Sequence, residues 1–384
     1  MKHTFNSNRG FTLLELMISA TLGLIVVASA VSLFTQALKA TWITSEKSEL
    51  QQDFRASSNL LQRDISMAGS GALGQQGIST SAIGLPASAT LPVYPCSAVT
   101  CNFINGAPVA YPTSTGVPYL YSIIPGPNLG IQVNPGSGPT DIITIVSADP
   151  SLALNCYTSA IDNTGTIVTF TPPPAGPLPA TCVLPTGVLA PQSLIDPVVG
   201  LKLGDMILFG TKAVGVVTNA AAGAAGTFVV TFALGDPGHI NQPAAATGSL
   251  FQFVGATRPP STPIAVSAVR LSTITYYLDI SPSDGVTPRL MRLQSGKTPA
   301  PVAENVVFLK FSYDVYNNGT VNANQNSLPA GTSPNMITKV NIAHMTVRSQ
   351  LPGTTGYQGL DLHTSIAARN LTSQQEYPIT GSAY

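Results

Sequence analysis

The stretch that decides the architecture runs from Phe11 to Leu38 and reads FTLLELMISATLGLIVVASAVSLFTQAL. Glu15 is its only charged residue. About 20 mostly apolar residues are enough for a helix to cross a bilayer, so the stretch predicts a membrane-spanning helix. Lys2 and Arg9 precede it. Positive charge on that side predicts that the N-terminus stays in the cytoplasm and that the remaining chain is exported.

Glu15 interrupts this apolar pattern near its start. An ionisable group inside a membrane segment costs about 3 kcal/mol and therefore indicates a function. The alternative is that Glu15 lies at the level of the lipid headgroups and reaches into water. The residues that surround Glu15 favour the first interpretation.

The segment from Arg9 to Glu15 reads RGFTLLE, follows a short basic leader and precedes the apolar helix. It resembles the cleavage signal of type IV prepilins and related pseudopilins. The resemblance implies that a prepilin peptidase cuts between Gly10 and Phe11 and that the new amino group of Phe11 is methylated. It also implies that Glu15 pairs with the terminal amine of a neighbouring subunit in a filament. A secretory signal peptide is cut after its apolar region, whereas here the apolar helix stays in the mature chain.

The composition limits the remaining classes of function. The 384 residues carry no net charge, and only 9% of them are charged, whereas an ordinary soluble domain has about 25%. There is no basic stripe, so nucleic-acid binding is not expected. The sequence has no phosphate-binding loop, no nucleophile elbow and no zinc-protease motif. We therefore expect a protein that is not an enzyme, with no catalytic residues and no cofactor.

Residues 39–68 continue the helix with an amphipathic pattern. Apolar residues recur at helical spacing along one face, at Ile43, Leu50, Phe54, Leu61 and Ile65. Charged residues fill other positions, and glycine near residue 69 gives the usual stop signal. We expect this apolar face to pack against a β-sheet of the same chain.

Six segments follow from these patterns. They are a leader (1–10), a transmembrane and polymerisation helix (11–38), an amphipathic helix (39–68), an uncharged insert rich in Gly, Pro and Ser (69–140), a middle β unit (141–258) and a C-terminal β-sheet (264–384). Short apolar runs between turn residues predict the strands. The expected fold class is α+β, with the long N-terminal helix packed on the antiparallel sheet of a pilin-like head that carries a loop-rich insert and an extra β unit.

Two further regions narrow the resemblance to minor pilins of the PilW-like group. The helix ends in RDISMAG, from Arg63 to Gly69, which is similar to the motif that closes the long helix in that group. Ser66 takes the place of the usual basic residue. Residues 290–293, 302–314, 339–348 and 369–371 are similar to the strands of the PilW-like head. The resemblance covers about residues 1–70 and 265–375 and leaves the middle of the chain uncovered.

The resemblance implies a minor pilin that joins a type IV pilus or primes its assembly. Its expected partners are prepilin peptidase, other minor pilins, the major pilin, the inner-membrane assembly platform and membrane lipid. It would cross the inner membrane once, with its C-terminal domain in the periplasm, and reach the pilus or cell surface after assembly. The alternative is a J-type pseudopilin of type II secretion, which no residue distinguishes. A membrane-tethered adhesin or enzyme is less favoured, because an anchor needs neither Gly10-Phe11 nor Glu15.

Four cysteines, at Cys96, Cys101, Cys156 and Cys182, predict two disulfides in an exported segment. Three pairings are possible. We favour Cys96–Cys101 with Cys156–Cys182, which closes two short loops in sequence rich in Pro and Gly. A metal site would need closely spaced cysteines or a histidine cluster, and the four histidines are scattered, so no metal is expected.

Two surface features carry weaker hypotheses. Four tyrosines of the insert could form an adhesive contact surface: Tyr94, Tyr111, Tyr119 and Tyr121. Asp279 and Asp284 lie near a turn where calcium could bind, although an ordinary solvated turn is the favoured interpretation.

Overall fold

The computed structural model describes most of the chain outside the leader, the insert and the C-terminus. The described residues are 12–70, 120–133, 138–149, 151–174, 176–178, 182, 184, 186–210, 213–236, 240–241, 250–251, 264–283, 285–295, 297–317, 319–330, 332, 334–350, 357–361 and 363–367. They form one long N-terminal helix and three antiparallel sheets, which confirms the α+β fold class. The chain divides into two compact units, residues 1–52 with 349–357 and residues 53–348 with 358–384.

The helix α1 runs from Leu13 to Ser66 without interruption. Its last turn is followed by Gly69, whose φ of 72° lies in the left-handed region that glycine adopts without strain. This conformation turns the Gly69 amide toward the sheet, where it donates a hydrogen bond to the carbonyl of Val146 over 2.8 Å. The end of the helix is thus joined to a strand by the main chain itself.

Seventeen described strands follow α1 in the chain. They are β1 (Ile123–Gly126), β2 (Ile142–Ala148), β3 (Thr158–Ile161), β4 (Ile167–Thr171), β5 (Met206–Phe209), β6 (Ala213–Val216), β7 (Asn219–Ala222), β8 (Phe228–Thr231), β9 (Ile264–Val266), β10 (Ala268–Ile280), β11 (Pro288–Gln294), β12 (Ala300–Glu304), β13 (Val306–Asn317), β14 (Thr320–Gln325), β15 (Ile337–Gln350), β16 (Tyr357–Asp361) and β17 (Thr364–Ala367).

The strands pair into three sheets. The first sheet has the order β12-β11-β10-β2-β1, with β5 also paired to β10 and β6 to β5. The second has the order β9-β3-β4-β8-β7, and the third has the order β14-β13-β15-β16, with β17 also on β15. Strand β10 is central to the first sheet, because it pairs with β11 on one side and with both β2 and β5 on the other.

Strand β5 of the first sheet contributes to a hydrophobic cluster that it shares with the second sheet. All four of its residues are buried, which is the pattern of a strand covered on both faces. Ile207 and Phe209 lie in the hydrophobic cluster that also holds residues of β4 and β8, whereas Met206 and Leu208 lie in a second cluster with residues of β1 and β2. Alternate side chains of one strand therefore serve two cores.

Close packing at β6 depends on a missing side chain. A Cβ atom added to Gly215 would lie 2.5 Å from the ring of Phe232. Phe232 uses this space to reach Phe209, with the two rings edge to face and their centroids 5.5 Å apart. A larger residue at position 215 would displace Phe232 from this core.

Pairing of strands crosses the segment boundary that the sequence predicts between residues 258 and 264. Strand β2, from the expected middle unit, pairs with β10, from the expected C-terminal sheet, over residues 143–148 and 271–276. Strand β1 comes from the expected uncharged insert and pairs with β2. The middle and C-terminal β segments therefore share one hydrogen-bonded sheet, and the six segment boundaries stay predictions.

The C-terminal part of α1 packs on the head through one face. Phe54, Ser57, Ser58, Leu61, Asp64 and Ile65 are buried, at the spacing of three and four residues that keeps side chains on the same side of a helix. Three of the five residues of the expected apolar face are in this set, and Ile43 and Leu50 are half-buried. The buried charge of Asp64 within this face was not expected.

Asp64 is held by two residues that lie opposite each other on neighbouring strands. Tyr276 of β10 and Arg292 of β11 are paired in register. The Tyr276 hydroxyl donates to Asp64 Oδ2 over 2.6 Å, and Arg292 Nε donates to the same oxygen over 2.7 Å. Burial and the hydrogen bond to Asp64 raise the pKa of the Tyr276 hydroxyl far above its ordinary value, so Tyr276 remains a donor. The three side chains form one buried cluster, which we call the Asp64 cluster.

A second buried carboxylate joins the first sheet to the third. Asp141, which is 2% exposed, precedes β2. Its side chain accepts hydrogen bonds from the amide of Phe311 over 2.9 Å and from Lys310 Nζ over 2.8 Å, both on β13. It also accepts a bond of 2.7 Å from the amide of Asn128. Because these bonds satisfy both carboxylate oxygens, the charge can be buried without a large penalty.

Removal of the Asp64 carboxylate should loosen the head. In Asp64→Ala, Arg292 and Tyr276 lose a buried partner, so we expect the free energy of unfolding to fall by about 3 kcal/mol. The measurement is urea unfolding of the full chain in detergent, followed by near-ultraviolet circular dichroism. The matched control is Asp279→Ala, which breaks the more exposed pair with Arg289 and should cost less than about 1 kcal/mol. Equal losses in both variants would refute a special role for Asp64.

Candidate functional site

The candidate functional site is the start of α1, because the expected cleavage motif and the apolar span meet there. Gly10 and Phe11, between which cleavage is expected, lie outside the described residues. Thr12 and Glu15 are described, and both are exposed. The geometry of this first turn can therefore be read from Thr12 onward.

Thr12 and Glu15 form a reciprocal N-cap. The Glu15 amide donates to Thr12 Oγ1 over 3.2 Å, while the Thr12 amide and the Thr12 hydroxyl each donate to Glu15 Oε2 over 3.1 Å. This is the capping box, in which a Ser or Thr at the N-cap and a Glu or Gln three residues later satisfy each other's backbone amides. The motif Thr-x-x-Glu before an apolar run is its sequence signal, and the sequence analysis missed it.

The capping box gives Glu15 a role inside its own chain. An acidic side chain in the first turn also interacts favourably with the positive end of the helix dipole. One oxygen, Oε2, accepts both bonds from Thr12, and no bond to Oε1 occurs among the described residues. The carboxylate therefore keeps acceptor capacity for a further donor while it caps the helix.

The helix beyond this cap presents apolar side chains to its surroundings. From Leu13 to Leu38 every residue is exposed, and the most apolar 18-residue window of α1 has a mean hydropathy of 2.3 and is 0% buried. By length and composition α1 can cross a membrane. An apolar helix that the chain leaves uncovered suggests a membrane anchor.

Four of the five hydroxyl groups between Leu16 and Leu38 form hydrogen bonds within the helix itself. Ser19, Thr21, Ser29 and Thr35 each donate to a main-chain carbonyl three or four residues earlier, over 2.8–3.1 Å. A hydroxyl with no partner would be costly in hydrocarbon. Because these bonds lie within α1, the hydroxyls do not prevent the span from entering a membrane.

The disulfide expected at Cys156 and Cys182 is present, with Cα atoms 4.2 Å apart. Cys156 is buried in the cluster between the first and second sheets, and Cys182 packs against the same cluster. The bridge thus ties an irregular segment to the core beside β3. The other expected bridge, Cys96–Cys101, lies outside the described residues.

The hypothesis of an adhesive surface included four tyrosines of the insert. Tyr121 is fully buried beside β1, so it cannot contribute to an adhesive surface, and its inclusion there was wrong. Apolar surroundings in the second core cluster explain its position. Tyr94, Tyr111 and Tyr119 lie outside the described residues.

Among the described residues no group of three or more His, Cys, Asp or Glu side chains is arranged to hold a metal ion.

The acidic turn beside β10 is occupied by an ion pair. Asp279 Oδ2 accepts a hydrogen bond from Arg289 Nη2 over 3.2 Å, across the β10–β11 hairpin. Asp284 lies outside the described residues. A carboxylate that already pairs with an arginine is a poor calcium ligand, and the ordinary solvated turn stays a prediction.

A polar cavity of about 390 Å³ lies around Arg270 of β10. Arg270 pairs with Asp149 over 2.9 Å and with Asp205 over 3.5 Å, and it donates to the carbonyls of Val199 and Gly200. Burial raises the pKa of the Asp205 carboxyl, and the Lys202 amide and Arg270 oppose this effect. These contacts pair the buried charges within the head, although Arg270 Nε is buried without a hydrogen-bond partner among the described residues.

Comparison with known protein families finds a match at the start of the chain. Residues 5–31 match the prokaryotic N-terminal methylation motif. No curated protein and no solved structure matches the chain. The match covers the expected cleavage site, the capping box and most of the apolar span. It supports a type IV pilin-like protein or a pseudopilin, a class that is structural rather than enzymatic, and it implies processing by prepilin peptidase and contact with pilus assembly machinery.

Loss of the Cys156–Cys182 bridge should destabilise the head. The bridge spans 26 residues, and the double variant Cys156→Ala plus Cys182→Ala should lower the free energy of unfolding by about 3 kcal/mol because the unfolded chain gains entropy. Urea unfolding of the oxidised full chain measures this loss, with Cys96→Ala plus Cys101→Ala as the matched pair. A loss below about 1 kcal/mol in the first variant would contradict the structural role of the bridge.

Proposed function

We propose that this protein is a PilW-like minor pilin. It enters the inner membrane through the apolar half of α1, with its β-rich head in the periplasm. Prepilin peptidase cuts between Gly10 and Phe11, and Phe11 is methylated on its amino group. The mature chain then joins other minor pilins and the major pilin on the inner-membrane assembly platform, and it primes or enters a filament at the cell surface.

One observation carries this proposal. The methylation motif leads directly into a capped helix whose apolar side chains the rest of the chain leaves uncovered. A simple membrane anchor would need the apolar span alone. A filament subunit also needs a defined N-terminus at the start of the helix and a surface that can exchange lipid for neighbouring helices.

The narrower assignment to PilW-like minor pilins rests on sequence resemblance in two places. One is the motif from Arg63 to Gly69, which ends α1 and contains Asp64 of the Asp64 cluster. The other is the set of C-terminal strands that includes β11, β13 and β15. A J-type pseudopilin of type II secretion shares the membrane helix and the processing step, so the choice between the two depends on the filament in which the protein is found.

Glu15 is the proposed assembly residue. In the filament its carboxylate would accept the positively charged amine of Phe11 from a neighbouring subunit. The free acceptor capacity at Oε1 supports this role, because the carboxylate can keep its bonds to Thr12 while it accepts a further donor. In apolar surroundings a paired charge is tolerated, whereas an unpaired one is not. The pair would therefore fix one helix relative to the next.

The mass of the N-terminal peptide from sheared filaments tests processing. We expect a peptide that starts at Phe11 and carries one methyl group on its amine. Gly10→Val should block cleavage, because a branched side chain would obstruct the close approach of the peptidase to the main chain. An intact Met1 leader on protein from filaments, or a mature product from Gly10→Val, would contradict the proposed site.

Three variants separate the charge of Glu15 from its capping role. Glu15→Gln keeps a residue that can complete the capping box but removes the charge. We expect it to be cleaved normally and to enter filaments at least about tenfold less, equivalent to about 1.4 kcal/mol, and Glu15→Ala should behave alike. Thr12→Val removes the capping hydroxyl and keeps the charge, so its effect should be smaller. Incorporation is measured by immunoblot of sheared filaments. Normal incorporation of Glu15→Gln would contradict the charge-pair mechanism.

A further inference from the structure

Trp42 lies on α1 just beyond the apolar span, and it is the single tryptophan of the chain. Its side chain is 47% exposed. Lys39 lies three residues earlier, on the same side of the helix, and is also exposed. The chain therefore places an amphipathic aromatic ring and a cation together at one end of a span whose other end is marked by Thr12 and Glu15.

The distance between these two ends matches the thickness of a bilayer. The stretch from Leu16 to Leu38 contains no charged residue and, as an uninterrupted helix, is about 33 Å long at about 1.5 Å per residue. The hydrocarbon core of a bilayer is about 30 Å thick. From Glu15 to Trp42 the helix rises about 40 Å, close to the total thickness of about 40–45 Å that includes the headgroups.

The chemistry of the two ends fits the same placement. Tryptophan concentrates at membrane–water interfaces, because its ring is apolar while its indole N–H needs a hydrogen-bond partner. Lysine beside it can extend its amine toward phosphate groups. The next charged residues, Glu46, Lys47 and Glu49, lie on the far side of Trp42 from the span and favour water. Within about three helical turns, the residues thus change from those that favour hydrocarbon, to those that favour the membrane interface, to those that favour water.

We infer that Trp42, with Lys39, binds the lipid headgroup layer and sets the depth of α1 in the membrane before assembly. The inference rests on the proposed membrane anchor and adds the residue that fixes its position. With Trp42 at one headgroup layer, the length of the helix places Glu15 at the other. The Glu15 carboxylate is then hydrated and capped by Thr12 while the subunit waits, and it enters apolar surroundings only when the helix leaves the lipid.

The test uses the fluorescence of Trp42 in the full chain, reconstituted into vesicles of phosphatidylcholine with a minority of phosphatidylglycerol. The acyl chains carry bromine either near the headgroup or near the terminal methyl group, and bromine quenches tryptophan only at short range. Two controls in the Trp42→Phe background provide the scale. Leu24→Trp places the ring in the middle of the span, and Leu189→Trp places it at a side chain that is 95% exposed on the head.

We expect Trp42 to be quenched about twofold more by shallow bromine than by deep bromine, as befits an interfacial ring. The Leu24→Trp control should show the reverse order, and Leu189→Trp should respond to aqueous iodide alone. If Leu24→Trp shows deep quenching while Trp42 behaves like Leu189→Trp, or like Leu24→Trp itself, the inference is overturned and the membrane anchor stands. If no bromolipid quenches Leu24→Trp, the anchor in the proposed function fails as well.

Discussion

The carboxylate of Asp64 connects α1 to the sheet on which it packs, and the arrangement of the head depends on this connection. An apolar helix face can slide or rotate on a sheet with little change in buried area. Asp64 accepts two charge-assisted or buried hydrogen bonds from Tyr276 and Arg292, whose register is fixed by the β10–β11 pairing. A shift of one turn would leave a carboxylate and a guanidinium without partners, at a cost of several kcal/mol. The cluster therefore fixes the position of the helix end, and the Gly69 amide joins that end to β2 through its hydrogen bond to Val146.

Other charged residues of the head are also buried in pairs. With only 9% charged residues, the chain places several of its charges in buried pairs that join different elements. Asp141 joins the loop before β2 to β13, and Arg270 holds Asp149 and Asp205. Surface ion pairs contribute little to stability, whereas a buried and hydrogen-bonded charge excludes alternative packings. A head with few charged residues suits the neighbours that the proposed function gives it, which are lipid and other subunits.

Much of this structure can be predicted from local patterns in the sequence. Hydropathy predicts the start and extent of α1, and short apolar runs predict strands such as β2, β8 and β13 close to their observed bounds. The capping box could also have been predicted from Thr12 and Glu15, since both residues and their spacing are visible. The pairing of β2 with β10 could not be, because it joins residues more than a hundred positions apart and no local pattern encodes the partner. The partners of Asp64 lie more than two hundred positions further along the chain, and Tyr121 is buried in a cluster built from distant segments, so both were beyond local reasoning for the same reason.

The internal hydrogen bonds of Ser19, Thr21, Ser29 and Thr35 have a consequence for how such helices meet. Each of these four hydroxyls donates to its own main chain, so most of the flank of the span offers a neighbour apolar contacts, with Ser32 and Gln36 as the remaining polar side chains. Contacts along that flank are mainly dispersion contacts, and their total changes little when one helix slides along the other. Under the proposed function, the contacts that fix the position of the helix would come mainly from the two ends of the span, at Glu15 and at Trp42. Such a helix can slide along a neighbouring helix with little resistance, and in the proposed filament its final position would be set by contacts at the ends of the span.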